Sequence, residues 1–300
     1  MENESDILIF GAHFSEVMKG RFLVPVLLLL SCSSSDNAKT FSEPTKLGII
    51  DERLPEASGI ASSVVNPGYI WAHNDGQNPA EVFLIDTTAH VKMICRLPVD
   101  NRDWEDIAVG PGSTPGKTYV YVGEIGDNKA IHDTKIIYRF EEPTADVAEK
   151  DIVLTDTLTI LMSDGKRDTE TMMIDPLSSD LYLISKREDS VGVYRVRQPF
   201  TREPMTAEKV ATIPYFKIVA GSFSPDGLEI LLKDYDHVYY WKRSKDESLE
   251  QALLRKPEHL PYEREAQGEA ITWKQDGSGY YTLSETNINK KAYLRFYRRR

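Results

Sequence analysis

Carboxylates recur in this sequence where extended segments begin and end. Glu56, Glu105 with Asp106, Glu170 and Glu269 each stand at the start of an apolar run, while Asp75, Glu124 with Asp127, and Glu285 each follow one. Acids gathered around one axis repel, and the repulsion is relieved by protons held at raised pKa or by a bound cation. Oxygen donors without a His/Cys cluster favour Ca²⁺, with Mg²⁺ as the alternative, over zinc. The expected metal ligands are therefore Glu56, Glu105, Asp106, Glu170 and Glu269.

A second group of residues would contact a ligand near that cation. Lys186 and Arg187 are adjacent cations that either pair with the acids or hold an anionic group. His73, Asn74, Asp75, Asp127, Asn128 and Glu285 add polar contacts, and Trp104 and Tyr235 offer rings on which a sugar could stack. Each has a plainer use: Asp and Asn close turns through backbone amides, an inward aromatic belongs to a core, and a lone histidine is a hydrogen-bonded structural group. There is no Gly-rich phosphate loop, no HExxH, no GxSxG and no paired cysteine motif. Ser58-Gly59 follows Glu56, but no Ser/His/Asp order supports a nucleophile there.

The elements that must position these residues are short strands. From Lys46 onward apolar runs are separated by turn residues, the pattern of an all-β domain. One hairpin recurs five times: Ser58–Ala61 with Tyr69–Ala72, Trp104–Val109 with Tyr119–Val122, Thr171–Ile174 with Leu181–Ile184, Ser222-Phe223 with Glu229–Leu232, and Ala270–Trp273 with Tyr280–Leu283. Each is followed by a third strand containing an aromatic, and the first three by a fourth strand. That is the four-stranded blade of a β-propeller. The repeats are uneven: Glu56 to Glu105 is 49 residues and Glu105 to Glu170 is 65. Five blades are expected, with Leu47–Ile50 completing the last blade beside the C-terminal strand so that no edge is left open. Six blades are the alternative if the 65-residue repeat or Leu249–Tyr262 hides another, and a β-sandwich is the competing architecture. In a propeller the starts of first strands and the ends of second strands share one rim, which sorts the acids to one mouth.

Composition bounds the rest. The chain has 300 residues, 41% of them hydrophobic, enough for a substantial core. A net charge of -11 argues against a nucleic-acid partner. At the N-terminus, Met18-Lys19-Gly20-Arg21 precedes the apolar run Phe22–Leu30, and Leu29-Leu30-Ser31-Cys32 places a small residue before a cysteine. This resembles a bacterial lipoprotein signal with its lipobox. The expectation is a signal region over 1–31 with translation starting at Met18, lipidation of Cys32, a tether over 32–45 and the propeller over 46–300. Nine apolar residues are too few to span a bilayer, which takes roughly 20. Cys95 is then left without a partner.

Pro55–Ala61, Trp71–Gly76, Asp103–Asp106, Gly123–Asn128, Ser224–Gly227 and Gln267–Ala270 together resemble a family of exported bacterial propeller proteins. The chain is more loosely similar to esterase-like phytase and gluconolactonase-type propellers. The closer resemblance implies the propeller fold without an activity, and the remote one implies a calcium-using channel mouth. Glu124 stands where that pattern has Asp, and Lys233-Asp234-Tyr235 where it has Arg-Thr-Tyr.

The function expected from the sequence is a monomeric cell-envelope lipoprotein, held on a bilayer through Cys32. Its acidic mouth binds Ca²⁺ and acts as a metal-dependent hydrolase of a small anionic or ester substrate. The alternative is a non-catalytic propeller that binds a glycan or a protein partner.

Overall fold

The computed structural model describes residues 40–112, 114–286 and 291–300. The signal region, Cys32 and most of the tether lie outside the described residues. Among those described, no helix is long and apolar enough to cross a membrane.

The described residues are all-β, with one five-residue helix among them. Strand β1 (Thr45–Ile49) precedes a first antiparallel unit formed by β2 (Ala57–Ser62), β3 (Ile70–Asn74), β4 (Glu81–Ile85) and β5 (Val91–Arg96). The second unit is β6 (Trp104–Pro111), β7 (Thr118–Glu124), β8 (Thr134–Glu141) and, after an excursion carrying β9 (Glu149–Asp151), β10 (Asp156–Met162). The third is β11 (Thr169–Ile174), β12 (Leu181–Ser185), β13 (Val191–Val196) and β14 (Met205–Ile213). The fourth is β15 (Ala220–Phe223), β16 (Glu229–Lys233), β17 (Val238–Lys242) and, beyond α1 (Leu249–Leu253), β18 (Glu258–Leu260). The fifth is β19 (Ala270–Trp273), β20 (Gly279–Leu283) and β21 (Tyr293–Arg298), and β1 pairs antiparallel with β21 to complete it.

The first strands form a closed cycle. β2 packs against β6 and β19, β6 against β11, β11 against β15, and β15 against β19. A hydrophobic cluster fills each gap between neighbouring units; Ile60, Phe83, Tyr281 and Leu294, for example, fill the one between the fifth and the first. Inner strands are therefore buried on both faces, as β2, β11, β12 and β20 are throughout. This explains their near-continuous apolar runs. The outermost strand β14 instead mixes buried with exposed positions. Outer edges are further covered by parallel pairings, β10 with β14 and β5 with β9. β9 adds a fifth strand to the first unit, and Leu249–Tyr262 carries α1 and β18 of the fourth.

The units are also joined by polar groups near the axis. Ser58 Oγ donates to the Glu105 carbonyl at 2.7 Å, Thr169 Oγ1 to the Ile125 carbonyl at 2.7 Å, and Ser62 Oγ to the Trp273 carbonyl at 2.6 Å. Between the third and fourth units the buried Arg243 guanidinium pairs with Asp175 and caps the Gly227 carbonyl at 2.6 Å.

Candidate functional site

The acids are aimed by a defect repeated in three units. Where β6 pairs with β7, Trp104 faces Glu124 and Asp106 faces Gly123, so Glu105 has no partner across the ladder. In β11 the same bulge leaves Glu170 unpaired, between Thr169 facing Ser185 and Thr171 facing Ile184. A β-bulge turns its extra residue off the alternation of the strand. Glu105 and Glu170 thereby bring carboxylate oxygens within 4.8 Å of each other across the gap between units, and Glu170 raises the pKa of Glu105. The third bulge, in β2, carries Ser58. Glu56 is thus the structural counterpart of Asp103 and Asp168 rather than of Glu105, two residues away from the register the sequence repeat implied.

Two overlapping sets of donors result. One oxygen from each of Asp75, Asp103 and Glu105 lie within 4.8 Å of one another, and so do oxygens of Glu105, Asp168 and Glu170. Glu105 belongs to both. Gly126 packs directly on this group: a methyl there would collide with Glu105 Oε1 and Asp103 Oδ2. The donor set is entirely carboxylate oxygen and the room around it is tailored, which fits a hard divalent cation.

The electrostatics register the crowding. Burial, then repulsion from Glu170, Asp75 and Asp103, holds Glu105 well above the usual carboxylate range. Burial pushes Glu170 up to about 7, opposed by Lys186 and reinforced by Glu269 and Asp168. Asp75 is pushed up to about 6 by burial, against the Gly76 amide and with repulsion from Glu269, Asp103 and Glu56. Glu285 is pushed up to about 8 by burial and by repulsion from Glu269. Lys186 sits among these acids, 2.8 Å from Glu170 Oε1 and 3.7 Å from Glu269 Oε1. Burial disfavours its charge, but those two carboxylates outweigh burial and raise its pKa.

The expected site residues separate into three groups. Glu105, Glu170, Glu269, Asp75, Lys186, Arg187, Tyr235 and Glu285 do come together. The Tyr235 hydroxyl donates to Glu269, and Lys186 lies 5.5 Å from the Tyr235 ring centre. Arg187 donates from Nε to Asp168 Oδ2 at 2.6 Å. Both cations are thus engaged by acids rather than held free for an anion. Glu56 and Asn128 are exposed at the margin, Glu56 accepting from Asn78 at 2.6 Å.

The third group is structural. Asp106, expected as a ligand, is fully buried and accepts from the Ile107 amide at 2.9 Å and the Met172 amide at 2.8 Å, tying β6 to β11. Asn74 accepts from the Glu56 amide and donates to the Arg53 carbonyl. Asp127 caps a turn through the Ile131 and His132 amides. Trp104, expected to meet a sugar, has no exposed surface and packs edge-on against His73 at 5.8 Å. His73 is itself buried, its Nδ1 on the Asn74 carbonyl at 2.9 Å, and burial lowers it to about 4, so it stays neutral.

Asp103 and Asp168 are absent from the expected ligands. The signal for them is the spacing Asp-x-Glu, present as Asp103-Trp104-Glu105 and Asp168-Thr169-Glu170. Lys135 is a further omission: buried on β8, it lies 3.7 Å from Asp127 Oδ2 beneath the cluster.

No family model matches the chain, and neither does any curated protein. Among solved structures, a chain in a crystal structure of a nidogen/laminin complex is similar at 10% identity, covering 79% of each chain with a TM-score of 0.43.

Proposed function

We propose that this chain is a five-bladed β-propeller of the cell envelope, anchored through a lipidated Cys32, whose acidic mouth binds Ca²⁺. Five antiparallel units in a closed cycle, with β1 sealing the last, support the blade count. The observation that carries the cation is the pair of carboxylate triads sharing Glu105. Seven carboxyls, those of Asp75, Asp103, Glu105, Asp168, Glu170, Glu269 and Glu285, outnumber the cations that act on them, Lys186, Arg187, Lys135 and Arg102. The excess is neutralised by protons at low pH and by a divalent ion at higher pH. Asp75, Asp103, Glu105, Asp168 and Glu170 would hold that ion, and Mg²⁺ is the alternative occupant.

A bound cation would supply a polarised water and a charge for an anionic or ester substrate. Lys186 and Arg187 are both paired with acids, which favours the second reading, a cation-stabilised propeller that binds a glycan or protein without breaking a bond. Calcium titration calorimetry, followed by assays on phosphoesters and lactones with and without Ca²⁺, separates the two. Saturable Ca²⁺ binding without turnover supports the binding module, turnover that needs Ca²⁺ supports the hydrolase, and absence of Ca²⁺ and Mg²⁺ binding refutes both. The anchor is tested separately: Cys32→Ala should move the protein from the membrane to the soluble fraction, and unchanged membrane association would overturn lipidation.

A further inference from the structure

A second opening lies at the other end of the same cycle of strands. There a cavity of about 370 Å³ is walled by the far ends of β2, β6, β11, β15 and β19. This is within the range of small-molecule pockets, ~300–1,000 Å³, and near its lower limit. Its apolar wall comes from Ile60, Ile107, Val109, Met172, Ile174 and Phe223.

Apart from the Trp273 indole N–H, which has no hydrogen-bond partner, the polar side chains of the wall are already engaged. Ser62 Oγ is committed to the Trp273 carbonyl and Thr272 Oγ1 accepts the Ser62 amide at 3.2 Å. Ser222 Oγ accepts the Trp273 amide at 3.3 Å, Ser224 Oγ donates to Asp226 at 2.6 Å, and Thr118 Oγ1 donates to Glu142 at 2.8 Å. Lys117, the one ionic side chain among the lining residues, is paired with Glu141. A charged guest would find no unpaired ionic side chain on the wall, whereas a neutral, mostly apolar guest is matched by its aliphatic and aromatic side chains. The approach is apolar as well, with Val64 on the lining and Leu177 beside Pro176 both exposed.

From this wall we infer a binding site for a neutral, predominantly apolar small molecule of up to about three rings or a short chain, reached from the rim opposite the acids and separate from the cation site.

The test uses the full chain and N-phenyl-1-naphthylamine, a neutral fluorophore that brightens in apolar surroundings. Saturable brightening is expected, weakened at least about tenfold by Ala108→Phe, which adds a ring at a half-buried wall position. Val64→Glu, at an exposed rim position that leaves the core intact, is expected to weaken it about threefold through the charge placed at the opening. Should the first variant fail to fold, as judged by circular dichroism, the second decides. No brightening, or equal affinity in wild type and the folded variants, would overturn the inference, because the probe would then sit elsewhere on the chain. Tighter binding of the anionic 8-anilinonaphthalene-1-sulfonate than of the neutral probe would also overturn it.

Discussion

Replacing Glu105 by Gln should have opposite effects on stability with and without Ca²⁺. Without the ion, at pH 8, the mouth holds more negative charge than its cations balance. The size of the strain can be gauged at Glu170, whose carboxyl is raised from 4.5 to about 7. Those ~2.5 units correspond to about 3 kcal/mol lost above both values. Glu105 bears a burial cost of the same kind together with repulsion from Glu170, Asp75 and Asp103, and Gln removes its charge. Relief of about 1–2 kcal/mol is therefore expected, which is roughly 2–6 °C in a domain of this size. With Ca²⁺ at 100 times its Kd, wild type should gain about 2.7 kcal/mol, or roughly 5–10 °C. The variant lacks the donor common to both triads and should gain less than about 2 °C. Thermal melts in EDTA and in Ca²⁺ should thus rank the two proteins in opposite orders. A wild type that ignores Ca²⁺ and Mg²⁺, or a variant that melts below wild type in EDTA, would refute the argument.

Between about pH 6.5 and 8 the metal-free protein should lose stability as pH rises. Glu170 at about 7 and Glu285 at about 8 both lie above the ordinary 4.5, so the folded state binds more protons than the unfolded chain over this window. Below it His73, lowered from 6.5 to about 4, acts in the opposite direction, and above it so does Lys233, lowered by burial from 10.5 to about 8. Urea unfolding in EDTA at pH 6.5 and 8 checks the sign, and greater stability at pH 8 would contradict it. Asp106→Ala should cost about 2–4 kcal/mol by stranding the Ile107 and Met172 amides. That loss should be the same with and without Ca²⁺, and a Ca²⁺-dependent loss would restore Asp106 as a ligand. Arg243→Met should cost about 3–5 kcal/mol by leaving Asp175 buried and unpaired. The double variant with Asp175→Leu should recover most of it in urea titrations, and no recovery would mean that the guanidinium matters through packing on Phe223 instead.

The hairpin repeat and the closure of the last unit by Leu47–Ile50 are legible in the sequence because both rest on local patterns. Apolar runs of strand length between turn residues mark a hairpin wherever it occurs, and strands buried on both faces keep those runs continuous. The gathering of acids at one rim follows from the same alternation of strand starts and ends. Strands β9 and β18 escape that reading, because three residues such as Glu149–Asp151 carry too little pattern to stand out, and only their partners β5 and β17 make them strands. The register at the mouth was decided by tertiary structure. One extra residue in β2, β6 and β11 shifts which side chain faces the axis, so Ser58 rather than Glu56 matches Glu105 and Glu170. Whether a carboxylate such as Asp106 turns inward to two amides or outward to a cation depends on what the neighbouring unit presents. The cavity at the opposite end belongs to no segment, since each of its five walls comes from a different repeat and the space exists only once the cycle of strands is closed.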